Sequence, residues 1–294
     1  LDYPATLGHE CVGTIVATGP VVEGLAPGDR VAIDPAISCG RCDQCRAGRL
    51  NTCRNLLFMG CPGEASGAAT ELALMPAVNC LKLPEGVSLE AGVLAEPLSI
   101  GLHAVRLGEV HPAARVAVLG TGPIGLSVIL TAKLTAPCTI YATDLLTERL
   151  TAASRCGADW TGSPRHIDVV AGIAQEAPWG LDIVFECSGE PECIDQAQAL
   201  LTPGGTLVLV GIPHEPRVPI HMHTMRRKEL TLKNVRRQKG CLAPVLRLIA
   251  EGMNLDPLLT HQFPLEEIQQ AFELGRCVHR GADQPAALQV QRAQ

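Results

Sequence analysis

Aromatic side chains are scarce in this sequence, since Phe, Trp and Tyr make up only 3% of its 294 residues. Hydrophobic residues nevertheless reach 47%, so we expect a globular core built from Ala, Val, Leu and Ile. The uncharged run of the glycine-rich region, 116–132, has 17 residues and is interrupted by Gly and Pro, which is too short for a membrane span. The net charge is −6, because 24 Lys and Arg face 30 Asp and Glu. This balance argues against nucleic acid and against an anionic membrane as partners.

A secretory signal is not visible at the start of the sequence, and the 13 cysteines are an odd number. In a long chain with a nucleotide motif, this usage indicates a reducing cytoplasm with free thiols and metal sites rather than a disulfide scaffold. The first residue is Leu1, and the sequence opens in the middle of a pattern. We therefore expect the natural N-terminus to lie upstream of it.

The sequence is organised around a glycine-rich turn between an apolar run at 116–119 and an apolar stretch of helical spacing at 126–134. The first run is short and rich in Val, which predicts a buried parallel strand. The turn reads G-x-G-x-x-G: Gly120 permits the bend, Gly122 lets a pyrophosphate approach the backbone, and Gly125 lets helix and strand pack closely. The residues expected to contact a dinucleotide here are Gly120, Gly122, Pro123, Ile124 and Gly125.

A second strand, predicted at 139–143, ends at Asp144, about 20 residues beyond the turn. A carboxylate at that place accepts hydrogen bonds from the adenosine ribose and repels a 2′-phosphate. Arg149 is the nearby cation, and its position suits the flank of the adenine. We therefore expect NAD rather than NADP, and the alternative is a βαβ turn that serves packing alone.

Four cysteines form a cluster with the spacing C-x2-C-x2-C-x7-C, namely Cys39, Cys42, Cys45 and Cys53. Thiolates this close together can surround one tetrahedral zinc ion at about 2.3 Å. Because the protein fills all four ligand positions, such a zinc is structural and leaves no vacancy for a substrate. The alternatives are free or redox-active thiols and an iron–sulfur cluster, for which the sequence shows no redox partner.

Three further side chains have metal-binding chemistry in less distinctive surroundings. His9 and Glu10 follow a glycine and offer a ring nitrogen and carboxylate oxygens. Glu96 precedes Pro97 in an otherwise apolar segment, where a buried acid needs a partner such as a cation. The simpler interpretations are a solvated turn for the His-Glu pair and a helix N-terminal charge for Glu96.

Apolar periodicity divides the chain into a β-rich first part and an alternating α/β part. Strands are predicted at 10–18, 28–33, 69–75, 80–83, 180–185 and 205–210, and a last one at 287–290 that closes the sheet. Helices are predicted at 191–201, 241–251 and 266–274.

The motifs occur in a fixed order: G-H-E, the four cysteines, E-P-L-S at 96–99, G-x-G-P-I-G with its Asp, E-C-S-G at 186–189, and the run 201–211. In this order and spacing the chain resembles the zinc-containing medium-chain dehydrogenases, within them the polyol branch of sorbitol and xylitol dehydrogenases. The resemblance implies an α/β fold, with a doubly wound parallel Rossmann sheet, a GroES-like β-rich catalytic domain, and the active site between them. The implied domains are 1–105 (GroES-like, with a structural-zinc lobe at 38–54), 106–240 (Rossmann, NAD-binding) and 241–294 (C-terminal helices and the return to the catalytic domain).

The resemblance also implies a catalytic zinc, held in that family by a cysteine, a His-Glu pair, and a water or second glutamate. The matching positions are His9, Glu10 and Glu96, which we take as metal ligands and catalytic residues. The cysteine of the family, with a neighbouring Ser or Thr that relays the proton, lies upstream of G-H-E, so we expect both before Leu1.

Further contacts are implied by the same resemblance. Cys187, Val210 and Gly211 stand at strand ends that face the nicotinamide and its ribose in the family. Arg236 matches an arginine that reaches toward substrate and cofactor, and Arg237 stands where the family often has an aromatic residue.

The implied reaction is the reversible oxidation of a secondary alcohol of a small polyol to a ketone, with hydride transfer to NAD. Zinc would act as a Lewis acid that lowers the pKa of the alcohol. Threonine and butanediol are alternative substrates. The sequence also leaves open a zinc-free reductase of the quinone type and an inactive NAD-binding protein that lacks one zinc-ligand cysteine. By resemblance we expect a homodimer or homotetramer.

Overall fold

The computed structural model describes residues 5–279 and 288–291. These residues divide into two compact units. Unit 1 contains 5–99 and 236–254, and unit 2 contains 100–235, 255–279 and 288–291.

The elements of the described residues are numbered here in chain order. The helices are α1 (Asp43–Arg46), α2 (Leu89–Val93), α3 (Ala95–Gly108), α4 (Pro123–Thr135), α5 (Thr147–Arg155), α6 (Val169–Glu176), α7 (Pro191–Leu200), α8 (Met222–Lys228), α9 (Leu242–Ala250) and α10 (Ile268–His279). The strands are β1 (Val12–Thr14), β2 (Arg30–Ile33), β3 (Ala36–Ile37), β4 (Leu57–Phe58), β5 (Cys80–Lys82), β6 (Arg115–Leu119), β7 (Thr139–Thr143), β8 (Trp160–Gly162), β9 (Leu181–Glu186), β10 (Leu201–Leu209), β11 (Thr231–Asn234), β12 (His261–Pro264) and β13 (Leu288–Gln291). Short 3-10 turns lie at Leu50–Thr52, Ala77–Asn79 and Leu265–Glu267.

The domain boundaries differ from the predicted ones. The units divide at 99/100, inside α3, and at 235/236, whereas the predictions stand at 105/106 and 240/241. The segment 241–294, predicted to hold C-terminal helices and a return to the catalytic domain, is shared by the units, since α9 packs against α2 in unit 1 while 255–279 belong to unit 2. Segments that are distant in the sequence pack into the same unit, so the unit boundaries do not follow the order of the chain.

Unit 1 is built on antiparallel strands, as the sequence predicts. β2 pairs with β1 on one side and with β5 on the other, and β3 pairs separately with β4. The apolar side chains of Val31 and Ile33 point from β2 into a small core that they share with the fully buried Met59. The alternating pattern of β2 therefore has one face in this core, as period-2 alternation requires.

Two predictions for unit 1 overestimate the extent of β-strand. The strand predicted at 10–18 is shorter, and its regular part is β1. The strand predicted at 69–75 is absent, which corrects that prediction. The backbone N–H groups of 67–69 bond to the carbonyls of 6–8 in an irregular way, and the segment beyond leaves Leu72 and Leu74 exposed. An alternating pattern without a partner strand does not form a ladder.

Unit 2 contains a six-stranded, wholly parallel sheet in the order β11-β10-β9-β6-β7-β8. Counting from β6, this is the doubly wound order 3-2-1-4-5-6, with its switch point between β6 and β9. The central strands are buried along most of their length, since β6 and β7 each carry four buried residues in succession. Ligands of such sheets bind outside the carboxyl ends of the strands at the switch point.

The predicted elements of unit 2 are found with shifted ends. Helix α7 ends at Leu200 and β10 already begins at Leu201, and α10 begins at Ile268 rather than at 266. The strand predicted at 287–290 corresponds to β13, but it pairs with β12 in a separate two-stranded sheet and does not close the six-stranded one. None of the helices within 5–279 is both long enough and apolar enough to cross a bilayer.

Candidate functional site

The glycine-rich turn connects β6 to α4 at the switch point of unit 2. Gly120 has a φ of +89°, and its N–H donates to the Thr143 carbonyl at 2.8 Å. A Cβ at Gly125 would lie 2.0 Å from the Gly120 carbonyl oxygen, so only glycine lets the helix approach the turn. Gly122 is the N-cap of α4, where a Cβ would lie 3.9 Å from Arg149 Nη1, while Pro123 occupies the first turn, with Ile124 after it. The free N–H groups of this helix start suit a phosphate.

Asp144 connects this turn to the end of β7. Its buried carboxylate accepts from the backbone N–H of Thr121 at 2.8 Å and of Leu146 at 3.0 Å. Arg149 lies beside it, with 3.7 Å between Nη1 and Asp144 Oδ2. Two buried polar atoms here, Thr121 Oγ1 and Arg149 Nε, have no hydrogen-bond partner among the described residues. A dinucleotide bound at this edge would bring hydroxyl and phosphate oxygens to such atoms, so the turn fits the cofactor.

The predicted nicotinamide-side residues lie at the same edge of the sheet. Cys187 follows β9 and its N–H donates to the Leu119 carbonyl of β6, at 2.8 Å. Val210 and Gly211 follow β10, and both N–H groups donate to the main-chain oxygen of Glu186, at 2.8 and 2.9 Å. Burial raises the pKa of the Cys187 thiol well above its ordinary value, so this side chain is a neutral thiol.

Glu186 is a residue of this edge to which the sequence alone assigned no role. Its side chain is buried, and Oε1 accepts from Ser188 N at 2.7 Å, Ser188 Oγ at 2.5 Å and Gly189 N at 2.8 Å. One buried carboxylate thus fixes the loop after β9, while its main-chain oxygen holds the loop after β10. An acid directly after a buried strand, followed by Ser and Gly, is the signal that could have identified it.

The four-cysteine lobe brings its sulfur atoms together. The four Sγ atoms lie within 4.8 Å of one another, with 3.5 Å from Cys42 to Cys45 and 3.9 Å from Cys42 to Cys53. A tetrahedron with zinc–sulfur bonds of about 2.3 Å has edges of about 3.8 Å. Backbone N–H groups of Cys39 and Asn55 point at Cys53 Sγ, at 3.3 and 3.4 Å. The lobe therefore fits one closed, structural zinc ion.

The sulfur atoms differ in their electrostatic surroundings. Hydrogen bonding from the Arg41 and Cys42 backbone lowers the pKa of Cys39 to about 6. Burial raises the pKa of Cys45 to about 12. A divalent cation would offset the repulsion among the thiolates, which is the role that structural zinc has in such lobes.

His9, Glu10 and Glu96 form a second group in unit 1, hereafter the metal trio. One ligand atom from each lies within 4.8 Å of the others, and the edge expected around a tetrahedral zinc ion is about 3.4 Å, so one ion could reach all three. His9 and Glu10 stand in the loop before β1, and Glu96 in the first turn of α3. Glu96 is buried, and the Ser99 hydroxyl donates to its main-chain oxygen at 2.6 Å.

The electrostatics of the metal trio favour a cation. Burial, then the negative charges of Glu10 and Asp34, raises the pKa of Glu96 to about 8. Burial also raises the pKa of Glu10, although solvent still reaches its side chain. Burial and the charge of Arg237 lower the pKa of His9, which keeps its ring nitrogens neutral and able to bind a metal. Two neighbouring carboxylates, of which Glu96 is buried and only partly compensated by the charge of Arg237, fit a zinc ion.

Phe58 and Arg237 border the metal trio, and neither is marked as a site residue by the sequence patterns. The Phe58 ring lies 4.9 Å from the His9 ring, centroid to centroid, and Arg237 Cζ lies 3.4 Å from the Phe58 centroid. Arg237 has a φ of +54°, which is rare for a residue other than glycine. The sequence signal that could have identified Arg237 is a charged residue at a position where the resembling family often has an aromatic one.

Arg236 is placed differently from its neighbour. Its side chain is exposed, and its carbonyl accepts from Asn51 Nδ2 at 2.9 Å. The role given to Arg236, contact with cofactor and substrate, stays a prediction.

Two family models match the chain. The model described as alcohol dehydrogenase GroES-like domain matches residues 1–85 and contains part of the metal trio and the cysteine lobe. The model described as zinc-binding dehydrogenase matches residues 123–251 and contains Asp144 and Arg237.

Curated relatives match this chain over more than nine tenths of its length. A sorbitol dehydrogenase from Bacillus subtilis is 33% identical over 93% of this chain and 78% of its own length. An L-idonate 5-dehydrogenase from Vitis vinifera is 36% identical over 92% of this chain and 75% of its own.

Solved structures agree with the fold. An alcohol dehydrogenase from E. coli CFT073 complexed with NADH superposes with a TM-score of 0.90 at 29% identity, covering 99% of this chain and 84% of that one. A Sinorhizobium meliloti protein solved bound to NADP has a TM-score of 0.87 at 34% identity, covering 92% and 80%.

Proposed function

The chain belongs to the zinc-containing medium-chain dehydrogenases, and from this premise we propose that it oxidises a secondary alcohol of a polyol to a ketone with NAD. The observation that carries the proposal is the metal trio, because Glu96, far away in the sequence, lies with the adjacent His9 and Glu10 so that one potential zinc-ligand atom of each is within 4.8 Å of the others. The sorbitol and idonate enzymes among the relatives support polyol-like substrates.

In this proposal the metal trio holds a catalytic zinc, and the cysteine lobe holds a structural one. The catalytic zinc supplies a Lewis acid that lowers the pKa of the substrate hydroxyl. His9 and Glu10 bind and orient the ion, and the neutral ring of His9 is suited to that role because its pKa is lowered. Glu96 or Glu10, acting through water, accepts the proton that the alcohol releases.

NAD is the proposed hydride acceptor, rather than NADP. The Asp144 carboxylate is buried at the edge where the adenosine ribose binds in this fold, and it would repel a 2′-phosphate. Arg149 lies against that carboxylate and is partly neutralised by it. In this proposal Cys187, Val210 and Gly211 border the nicotinamide.

The family resemblance also supports a homodimer or homotetramer as the assembly, and the cytoplasm as the location.

A substrate panel tests the proposal. The zinc-loaded protein is incubated with NAD and, in turn, sorbitol, xylitol, 2,3-butanediol and threonine, and NADH is followed by its absorbance. We expect NADH with at least one of the two sugar alcohols, and its loss when a chelator removes zinc. Turnover with threonine or butanediol alone would assign the enzyme to another branch, and NAD binding without any turnover would refute the activity. Turnover that survives removal of both zinc ions would favour a zinc-free reductase.

A further inference from the structure

Arg237 brings a positive charge to the edge of the metal trio, and the nearby negative charges compensate it only in part. Its Cζ lies over the Phe58 ring, 3.4 Å from the centroid, and the His9 ring lies 4.9 Å from the same ring, centroid to centroid. Nη1 of Arg237 is buried and has no hydrogen-bond partner among the described residues. A buried donor of a charged group without a partner is costly, so a group from outside the chain is expected to satisfy it.

The backbone around Arg237 is fixed on both sides. The Arg236 carbonyl accepts from Asn51 Nδ2 at 2.9 Å, and the side-chain amide of Gln238 donates to Asp34 Oδ2 at 2.7 Å. Gln238 Oε1 also accepts from the Cys241 N–H at 2.7 Å. Between these anchors Arg237 adopts its positive φ of +54°. A residue held in a sparsely populated conformation by contacts on either side is typical of a ligand-binding position.

The acidic groups near Arg237 do not complete its hydrogen bonding. Glu64 and Glu96 are close enough for their charges to act on it, but burial and the neighbouring Arg236 outweigh them and lower the pKa of Arg237. The positive charge of Arg237 is therefore not fully balanced by its neighbours, and an additional anion would be attracted to it. An oxygen anion presented to Nη1 would form a charge-assisted hydrogen bond with this buried donor.

We propose that Arg237 determines substrate specificity by binding an anionic substituent, a carboxylate or a phosphate, on the alcohol that is oxidised at the metal trio. This inference rests on the proposed function. It makes an acidic polyol derivative, either a sugar acid or a phosphorylated sugar alcohol, the preferred substrate, with neutral sugar alcohols as poorer substrates of the same site.

Calorimetric titration tests the inference by a readout other than turnover. The zinc-loaded protein is titrated with sorbitol, D-gluconate and sorbitol 6-phosphate in the presence of NADH, which prevents oxidation and covers the phosphate-binding turn of unit 2. We expect gluconate or sorbitol 6-phosphate to bind at least about tenfold more tightly than sorbitol, the scale of one charge-assisted hydrogen bond. The tighter of the two acids identifies the substituent.

Variants assign the preference to Arg237. Arg237→Gln should lower the affinity for the preferred acid about tenfold and leave that for sorbitol unchanged. Arg237→Tyr gives the same readout if the Gln variant does not fold, as judged by its thermal unfolding midpoint. Arg247→Gln is the matched control, because it removes an exposed arginine of the same unit, on α9, and should keep the preference.

Three results would overturn the inference: sorbitol binding as tightly as both acids, no binding by any of the three compounds, or a preference for the acid that survives in the Arg237 variants. The proposed function fails separately, when zinc and NAD produce no NADH from any alcohol, acidic or neutral. Oxidation of neutral polyols, with no tighter binding of either acid, would leave the proposed function standing and refute the specificity.

Discussion

At the residue scale, the account depends on buried charges and donors that the described residues do not fully satisfy. Glu96 is buried beside Glu10. Arg237 Nη1 and Thr121 Oγ1 are buried, and neither atom has a hydrogen-bond partner in the described part of the chain. Folding alone does not favour such groups, because each costs desolvation energy that no internal contact returns. Each one therefore indicates a ligand: zinc at Glu96, an anion at Arg237 and the dinucleotide at Thr121.

Replacing Glu96 tests the first of these ligands at the residue scale. Glu96→Gln keeps the shape of the side chain but removes its negative charge, so the catalytic zinc should bind at least about tenfold more weakly. Zinc content after dialysis should fall by about one ion per chain, with turnover falling alongside it. Glu85→Gln, which alters an exposed glutamate of the same unit, should change neither quantity. Unchanged zinc content and turnover in Glu96→Gln would remove Glu96 from the site.

At the scale of elements, sequence patterns predict what depends on neighbours in the chain. The run 116–119, the three glycines and Asp144 are local signals, and β6, α4 and β7 stand where those signals predict them. The strand predicted at 69–75 is wrong because its alternation has no partner ladder, a property of the fold and not of the segment. The contact between Phe58 and Arg237 could not be predicted from local patterns either, because 178 intervening residues separate them in the sequence.

The close approach of α4 to the glycine turn gives a prediction for this element. Gly125→Ala would place a Cβ 2.0 Å from the Gly120 carbonyl oxygen, so the helix start must move away from the turn. We expect NADH affinity, measured by fluorescence titration, to fall at least about tenfold, since the helix N–H groups then miss the pyrophosphate. Gly13→Ala, where a Cβ meets nothing within 4 Å, is the control and should retain the affinity. Equal NADH affinity in both variants would contradict the assignment of the turn.

Strands β6 and β9 are joined at their amino ends by an ion pair that predicts a pH effect. Asp182 accepts from the Arg115 backbone at 2.8 Å and from its guanidinium at 3.0 and 3.2 Å. Burial alone would raise the pKa of Asp182, but these hydrogen bonds lower it overall. Because the folded-state pKa is depressed, the stabilisation is present above the unfolded-state pKa and is lost as the pH falls through the folded-state pKa.

Asp182→Asn tests that ion pair. The substitution should lower the free energy of unfolding in urea near neutral pH by about 1–2 kcal/mol, and the difference from the unchanged protein should shrink in acid. Asp195→Asn, at an exposed position on α7, is the control. A difference that does not depend on pH would show that the effect is one of packing rather than of charge.

At the scale of the whole molecule, the two kinds of site lie in different units. The metal trio and the cysteine lobe belong to unit 1, and the glycine turn with Asp144 belongs to unit 2. Removal of zinc by a chelator should therefore abolish turnover while NADH binding persists with a dissociation constant within about threefold of that of the zinc-loaded protein. Loss of NADH binding together with zinc would show that the cofactor site depends on the metal.

Anomalous diffraction at the zinc absorption edge, from crystals of the zinc-loaded protein with NADH, tests the central claim most directly. The account predicts two peaks per chain, one at the centre of Cys39, Cys42, Cys45 and Cys53, and a second within about 2.0–2.3 Å of His9 Nε2 or Nδ1 and of a carboxylate oxygen of Glu10 or Glu96. A single peak, confined to the cysteine lobe, would contradict it, because the metal trio would then hold no ion in the state that is supposed to react.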